Sequence, residues 1–404
     1  MDPRPHDIVL FGATGFTGRQ VAAWFARHVA RSDVRWALAA RNLDKLAAVR
    51  DSLGSGFGDV PVLQVDALDE DAVRAMAASA RVVLTTVGPY ALYGDRLVDA
   101  CVASKTDYVD ITGETPWVRR VIARHHAQAA RDGTRIVPFC GFDSVPSDLG
   151  TWMIVQHLRQ RHGQTTREVR ASFRAKGGFN GGTLASALNL LGAERPRDMA
   201  DPFALNPPER HPGPAPSRSQ DLTNTHRDPD LGHVAPFFMA PVNTRVVRRS
   251  DALSAERGAG YGPEFAYQEA LSVKGPAMGW GVLAAMSAVP LMARSSFLRG
   301  IAMRLGPDPG EGPSESDMDG GWFTTSFIGI GDGGARVRGF VKAEGDPGNR
   351  CTVEMLCTSA LVLLQDRERL PPGGGVLTPA VAFGDLLLAR LQRRGMVWEI
   401  EDVD

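Results

Sequence analysis

One short stretch near the start of the chain constrains its fold most. Residues 7–12 read DIVLFG, an apolar run closed by a glycine. Residues 16–30 (FTGRQVAAWFARHVA) then space Val21, Trp24, Phe25 and Val29 at helical intervals. A strand thus passes directly into a helix through Gly12-Ala13-Thr14-Gly15-Phe16-Thr17-Gly18. Gly12 lets the chain leave the strand sharply, Gly15 presents backbone without a Cβ, and Gly18 lets the helix press onto the strand. The helix N-terminus adds free N–H groups and partial positive charge, so the turn suits a pyrophosphate. The spacing is G-x-x-G-x-x-G, and Arg19 stands where a P-loop would need Lys-Ser/Thr.

The same rhythm continues. Apolar runs at 34–41, 60–66, 80–88, 106–111 and 134–140 alternate with helical patterns, including 91–104 and 116–131, and Asn42 is placed to cap LDKLAAVRDSL. Alternation of this kind predicts an α/β fold, an N-terminal Rossmann-type doubly wound parallel sheet over 1–148. After it the pattern changes. A helix at 148–163, an alternating strand at 169–175, a helix at 181–193 and a hairpin (322–330, 335–345) around Gly331-Asp332-Gly333-Gly334 predict an α+β second domain. Its sheet is expected to be largely antiparallel, within 149–369. Residues 201–236 hold eight prolines and read as a long loop, either a substrate lid or an inert connection. A helix at 378–394 and a strand at 396–403 close the chain, and 370–404 is expected to pack back on the first domain.

Composition narrows the function. With 45 basic and 46 acidic residues the net charge is −1, which argues against a nucleic-acid partner. Four cysteines show no zinc spacing, so no metal is expected. The segment MDPRPHD has no apolar signal region, and a cytoplasmic location is expected. Residues 275–293 carry no charge. Three readings stand for them: a buried helix or homodimer contact, a peripheral contact with the inner face of the plasma membrane, and last a membrane span.

The end of the second strand selects the nucleotide. An NAD site places an acid there to bind ribose hydroxyls. Here Arg41 follows Gly18 by 23 residues, with Asn42 beside it. An arginine would pair with a 2′-phosphate, which predicts NADP(H). Asp66 ends the third strand, as an adenine acceptor or as the cap of a helix from Leu68 onward. Val87-Gly88-Pro89 ends the fourth and should border the ribose and nicotinamide.

These pieces carry a resemblance. GATGFTG (12–18), AARN (39–42), VGPYALYG (87–94), YVDITGE (108–114), CGFDSVPSDLG (140–150), GGFNGGTLAS (177–186), GPDPGEGPSE (306–315), EGDPG (344–348) and GGVLTPAVAFGD (374–385) resemble the saccharopine dehydrogenase-like oxidoreductases. Within that group the chain is most similar to bacterial trans-acting enoyl reductases. The resemblance implies an NADP-type first domain and reduction of a carbon–carbon double bond in a polyketide-like acyl thioester, in lipid or glycolipid biosynthesis. It implies a small-molecule or carrier-bound acyl substrate, held by a polyketide synthase. A saccharopine-type amino-acid dehydrogenase and a non-catalytic nucleotide-binding, membrane-associated protein are the alternatives.

Reducing an enoyl thioester requires a donor near the thioester oxygen and a proton source. Tyr90 and Tyr93 follow the nicotinamide-side turn and are the catalytic candidates. No tyrosine has a lysine four positions later, which excludes the short-chain-dehydrogenase pair. Glu114, Asp143 and Ser144 end the fifth and sixth strands, while Lys176, Asn180 and Thr183 flank a glycine-rich loop. These six are the substrate-binding candidates.

Overall fold

The computed structural model describes residues 4–30, 32–177, 201–211, 219–294 and 312–403, with the backbone alone over 288–294. Two seven-stranded sheets organise it. The first is parallel throughout, with strands β1 (His6–Phe11), β2 (Trp36–Ala40), β3 (Val62–Gln64), β4 (Ala80–Thr85), β5 (Asp107–Val109), β6 (Arg135–Val137) and β13 (Gly375–Val376). Their order is β13-β6-β5-β4-β1-β2-β3. Helices α1 (Phe16–His28), α2 (Leu43–Ser52), α3 (Glu70–Ala78), α4 (Tyr90–Ser104) and α5 (Thr115–Asp132) cross between them. All five β2 residues and five of six in β1 are buried, as a sheet covered on both faces requires. The chain runs outward from β1 through β2 to β3, then returns to β4 on β1's other side. That reversal opens a crevice at the carboxyl ends of β1 and β4.

Helix α6 (Val145–His162) leads into the second sheet, ordered β14-β12-β11-β7-β10-β9-β8. It contains β7 (Thr166–Lys176), β8 (His226–Asp228), β9 (Gly232–Ala235), β10 (Ala266–Ser272), β11 (Trp322–Gly331), β12 (Arg336–Glu344) and β14 (Val397–Val403). Every pairing is antiparallel except β7 with β10. Helix α6 presses onto β11 where Gly150 meets Phe327: a Cβ at Gly150 would stand 2.3 Å from that ring. The remaining α-helices among the described residues are α7 (Ala240–Glu256), α8 (Pro276–Arg294), α9 (Glu315–Asp319), α10 (Thr352–Gln365), α11 (Pro379–Phe383) and α12 (Asp385–Arg393).

The predicted fold class stands, with local corrections. The stretch 201–236 is not loop throughout, because β8 and β9 form a hairpin at its end. Strands of three and four residues are too short to show alternation. Its proline-rich middle, 212–218, lies outside the described residues, as does the helix expected at 181–193. The helix expected at 378–394 breaks into α11 and α12 at Gly384, whose φ of +48° is left-handed. The tail 370–404 divides, β13 pairing with β6 in the first sheet and β14 with β12 in the second. Helix α10 also lies against α1, β4 and β5, with the Trp24 indole N–H donating to Glu354 at 2.7 Å.

Helix α8 forms where the uncharged stretch lies, but it is not a buried helix. Trp280 is 63% exposed and Met278 is 52% exposed. Among the described residues no helix is long and apolar enough to cross a membrane.

Candidate active site

The glycine turn is built as its spacing requires. Gly12 has φ +95°, and its N–H donates to the Ala39 carbonyl at 2.8 Å. A Cβ at Gly12 would lie 2.8 Å from both Thr86 Oγ1 and Val87 Cγ2. At Gly18 it would lie 2.0 Å from the Gly12 carbonyl oxygen, so α1 rests directly on the turn. Gly15 is exposed, and a Cβ there would meet only the Gly12 oxygen, at 3.4 Å. Helix α1 has neither a side-chain cap nor an acid in its first turn. Its leading N–H groups and positive dipole end therefore suit phosphate oxygens. Ala13 is buried, with its N–H on Ala39 at 3.3 Å. Thr14 and Thr17 are half-buried, and the Phe16 ring lies against Gly312.

Arg41 is exposed at the end of β2. Its carbonyl accepts from Gln64, and its guanidinium has no partner among the described residues. Asn42 caps α2 through Oδ1, which accepts from Lys45 N at 2.8 Å, leaving the carboxamide NH2 for a ribose. Asp66 Oδ1 accepts from Leu68 N at 2.9 Å, whereas the cap of α3 is Asp69. Across the crevice Thr86 N donates to Phe11 O and Val87 N to Thr85 Oγ1. The Gly88–Pro89 bond that follows is cis.

Several candidates are placed elsewhere than their sequence positions suggested. Tyr90 is buried, stacked on Trp117 with ring centroids 5.6 Å apart. Its hydroxyl donates to Thr85 O at 3.3 Å and accepts from Ile111 N at 3.4 Å. Burial pushes its phenol well above the ordinary range. Tyr90 is thus a packing residue, not a proton donor facing the crevice. Tyr93 lines a surface cavity of about 650 Å3 among α3, α4 and α5, with Arg74, Arg96 and Gln128. Glu114 is buried too, and its carboxylate caps α4: Oε1 accepts from Tyr90 N and Oε2 from Ala91 N, each at 2.8 Å. Both oxygens are thus engaged at the start of α4, next to the turn expected to border the nicotinamide. Ser144 is buried and donates to Asn243 Oδ1 at 3.2 Å. Asn243 in turn donates to Glu269, which also accepts from Ser147 and Tyr267.

Asp143 is different. It follows β6 on the ligand side of the sheet, half-buried, with no partner among the described residues. Burial pushes its carboxyl up to about 6. The neighbouring Asp110 is also raised, to about 7 by burial, but its oxygens accept from the Tyr108 hydroxyl, Thr112 N and Phe139 N. Asp110 therefore holds the loops together, whereas Asp143 has no such donors among the described residues. Lys176 ends β7, exposed, its ammonium without an ion-pair partner among the described residues. Asn180 and Thr183 lie outside the described residues.

One residue joined to the phosphate-side helix was not among the sequence candidates. Arg350 donates to Gln20 of α1 at 3.1 Å, to Asp319 at 2.9 Å and to Glu315. It fastens the second sheet's end to the phosphate-side helix. Its only sequence hint was the nearby EGDPG.

A doubly wound sheet with a glycine turn at an uncapped helix N-terminus, and an arginine without a partner among the described residues at the end of β2, defines a dinucleotide-binding domain. The saccharopine dehydrogenase NADP binding domain matches residues 8–137. A provisionally named trans-acting enoyl reductase of Mycobacterium tuberculosis is 41% identical over 98% of this chain and 97% of that protein. The trans-acting enoyl reductase of Mycobacterium bovis is 38% identical over 98% and 97%. Among solved structures, saccharopine dehydrogenase (L-Glu forming) from Saccharomyces cerevisiae aligns with a TM-score of 0.55 at 13% identity, over 99% of this chain and 100% of that one, a likeness of fold. The chain belongs to the saccharopine dehydrogenase-like oxidoreductases, in the group of the trans-acting enoyl reductases. It is an NAD(P)-dependent oxidoreductase and binds NADP(H).

Proposed function

We propose that the protein reduces the carbon–carbon double bond of an α,β-unsaturated acyl thioester, on a polyketide-like chain destined for a lipid or glycolipid. The full-length likeness to proteins named as trans-acting enoyl reductases supports this reading. Within the structure, Asp143 is the observation that carries it. NADPH supplies the hydride, which leaves an enolate on the substrate. The remaining chemistry is one proton delivered to carbon, and Asp143 is a half-buried carboxyl at the sheet's ligand edge with no partner among the described residues. With its carboxyl near 6, a useful fraction is protonated near neutral pH.

In this reading the α1 N-terminus and Gly15 hold the pyrophosphate, Arg41 the 2′-phosphate and Val87–Pro89 the ribose and nicotinamide. Lys176 is the cation offered to the carrier-linked substrate, which a polyketide synthase would present. The protein works in the cytoplasm, and the exposed Met278 and Trp280 of α8 support peripheral contact with a lipid surface. The test is cofactor absorbance during incubation with NADPH and a panel of enoyl thioesters on carrier protein and on coenzyme A. Oxidation dependent on the double bond is expected. NADPH binding without oxidation of any substrate, or NADP⁺ reduction linked to glutamate, would overturn the reading.

A further inference from the structure

Away from the crevice, two imidazoles and a carboxylate converge. His157 and His162 stand on the last turns of α6, and Asp402 lies on β14, which pairs with β12. His157 Nε2 is 2.8 Å from Asp402 Oδ1, and His162 Nε2 is 2.7 Å from the same oxygen. The three ligand atoms all lie within 4.8 Å of one another. The imidazole ring centroids are 5.8 Å apart with an interplanar angle of 49°, and each ring points its Nε2 at the carboxylate.

We propose that His157, His162 and Asp402 bind a divalent transition ion, zinc by the nature of the ligands, clamping β14 to the end of α6. Two imidazole nitrogens with one carboxylate oxygen suit zinc; calcium and magnesium prefer all-oxygen sets. Without an ion, each ring must keep its Nε2 protonated to donate to one shared oxygen. A metal replaces both protons and accepts all three lone pairs. Zinc–ligand bonds of about 2.0–2.1 Å set neighbouring ligand atoms about 3.3 Å apart in a tetrahedron. The two N···O contacts, at 2.8 and 2.7 Å, need to open by about half an ångström, and the two Nε2 atoms already lie within 4.8 Å of each other.

The surroundings agree. His162 is the final residue of α6, so the negative end of the helix dipole faces the site. Arg161 Nε stands 3.9 Å from Asp402 Oδ2, on the outer oxygen, which leaves Oδ1 to the imidazoles. The side chains of His157, His162 and Asp402 are 22%, 26% and 44% exposed, which gives an ion an entry path and leaves the fourth position to water. The four cysteines are buried and do not compete.

The test uses the full-length, untagged chain, stripped with a chelator and titrated with zinc alone near pH 7.5. One zinc per chain is expected, with affinity at least tenfold weaker in each of His157→Ala, His162→Ala and Asp402→Ala. Cobalt(II) in place of zinc should give the visible absorption of a four-coordinate ion, lost in Asp402→Ala. Zinc should raise the thermal unfolding midpoint of the parent and not that of Asp402→Ala. NADPH affinity, read on the same samples, should be unchanged in all three variants and shows that they are folded. Zinc bound with unchanged affinity by the folded variants, or less than half a zinc per parent chain at saturation, would overturn the proposal.

Discussion

Glu114 offers the sharpest test of how the crevice is built. Its two carboxylate oxygens accept from Tyr90 N and Ala91 N, each at 2.8 Å, at the start of α4. Glu114→Ala removes both acceptors. Tyr90 N is buried, and a buried donor left unmet costs about 1–3 kcal/mol. Ala91 N is partly exposed and can turn to water, so its loss is nearer the net value of a hydrogen bond, about 0.5–1.5 kcal/mol. The expected destabilisation is therefore about 1.5–4.5 kcal/mol in the absence of any ligand. Glu114→Gln keeps one acceptor but sets an amide NH2 against the other N–H, so it should fall between the parent and Glu114→Ala. The assay is urea unfolding of the ligand-free proteins, comparing midpoints at equal slope. A residue that only touched substrate would leave ligand-free stability within about 0.5 kcal/mol of the parent and raise KM alone. That outcome would refute the capping role.

Arg41→Asp should weaken NADPH binding tenfold or more while leaving NADH binding nearly unchanged, read by fluorescence titration, because only NADPH carries the phosphate an acid would repel. Asp143→Asn should abolish most turnover at unchanged NADPH affinity, and the parent's turnover should decline as pH rises above about 6, where the carboxyl loses its proton. Asp148 is buried and accepts from Ser250 and Ala380 N, and burial raises its carboxyl from 3.8 to about 7. A folded pKa above the unfolded one means that the native state binds the extra proton. Its contribution is thus full below about 4 and lost as pH rises through 7. Asp148→Asn should flatten the fall in urea midpoint over that window; an unchanged slope would refute the assignment.

Much of the fold was legible because its signals are local. Strand, glycine turn and helix follow one another within residues 6–28, and Asn42 capped α2 as its position predicted. The hairpin of β11 and β12 announced itself through its glycine turn. The β8–β9 hairpin was too short for any period to register, and Gly384 split a helix that the periodicity ran straight through. Around the crevice the sequence brought the right segments to one edge but not the duties of their side chains. Tyr90, Glu114 and Ser144 are polar residues at ligand-facing strand ends, yet each is occupied by a neighbour within the protein. An acid's sequence neighbours do not reveal whether folding will supply it with donors.

The sequence alone determined the phosphate turn, the basic residue that follows β2 and the alternation that builds a parallel sheet, since each depends on spacings of a few residues. Tertiary structure decided which carboxyl stays unpaired. Among the described residues Asp110 gained three donors and Asp143 none, and desolvation raised both. It also decided that β13 joins one sheet and β14 the other. The latter choice carries Asp402 to His157 and His162, about 240 residues away in the chain. Burial and long-range pairing arise only when distant segments share one packed interior, so these groupings became visible only there.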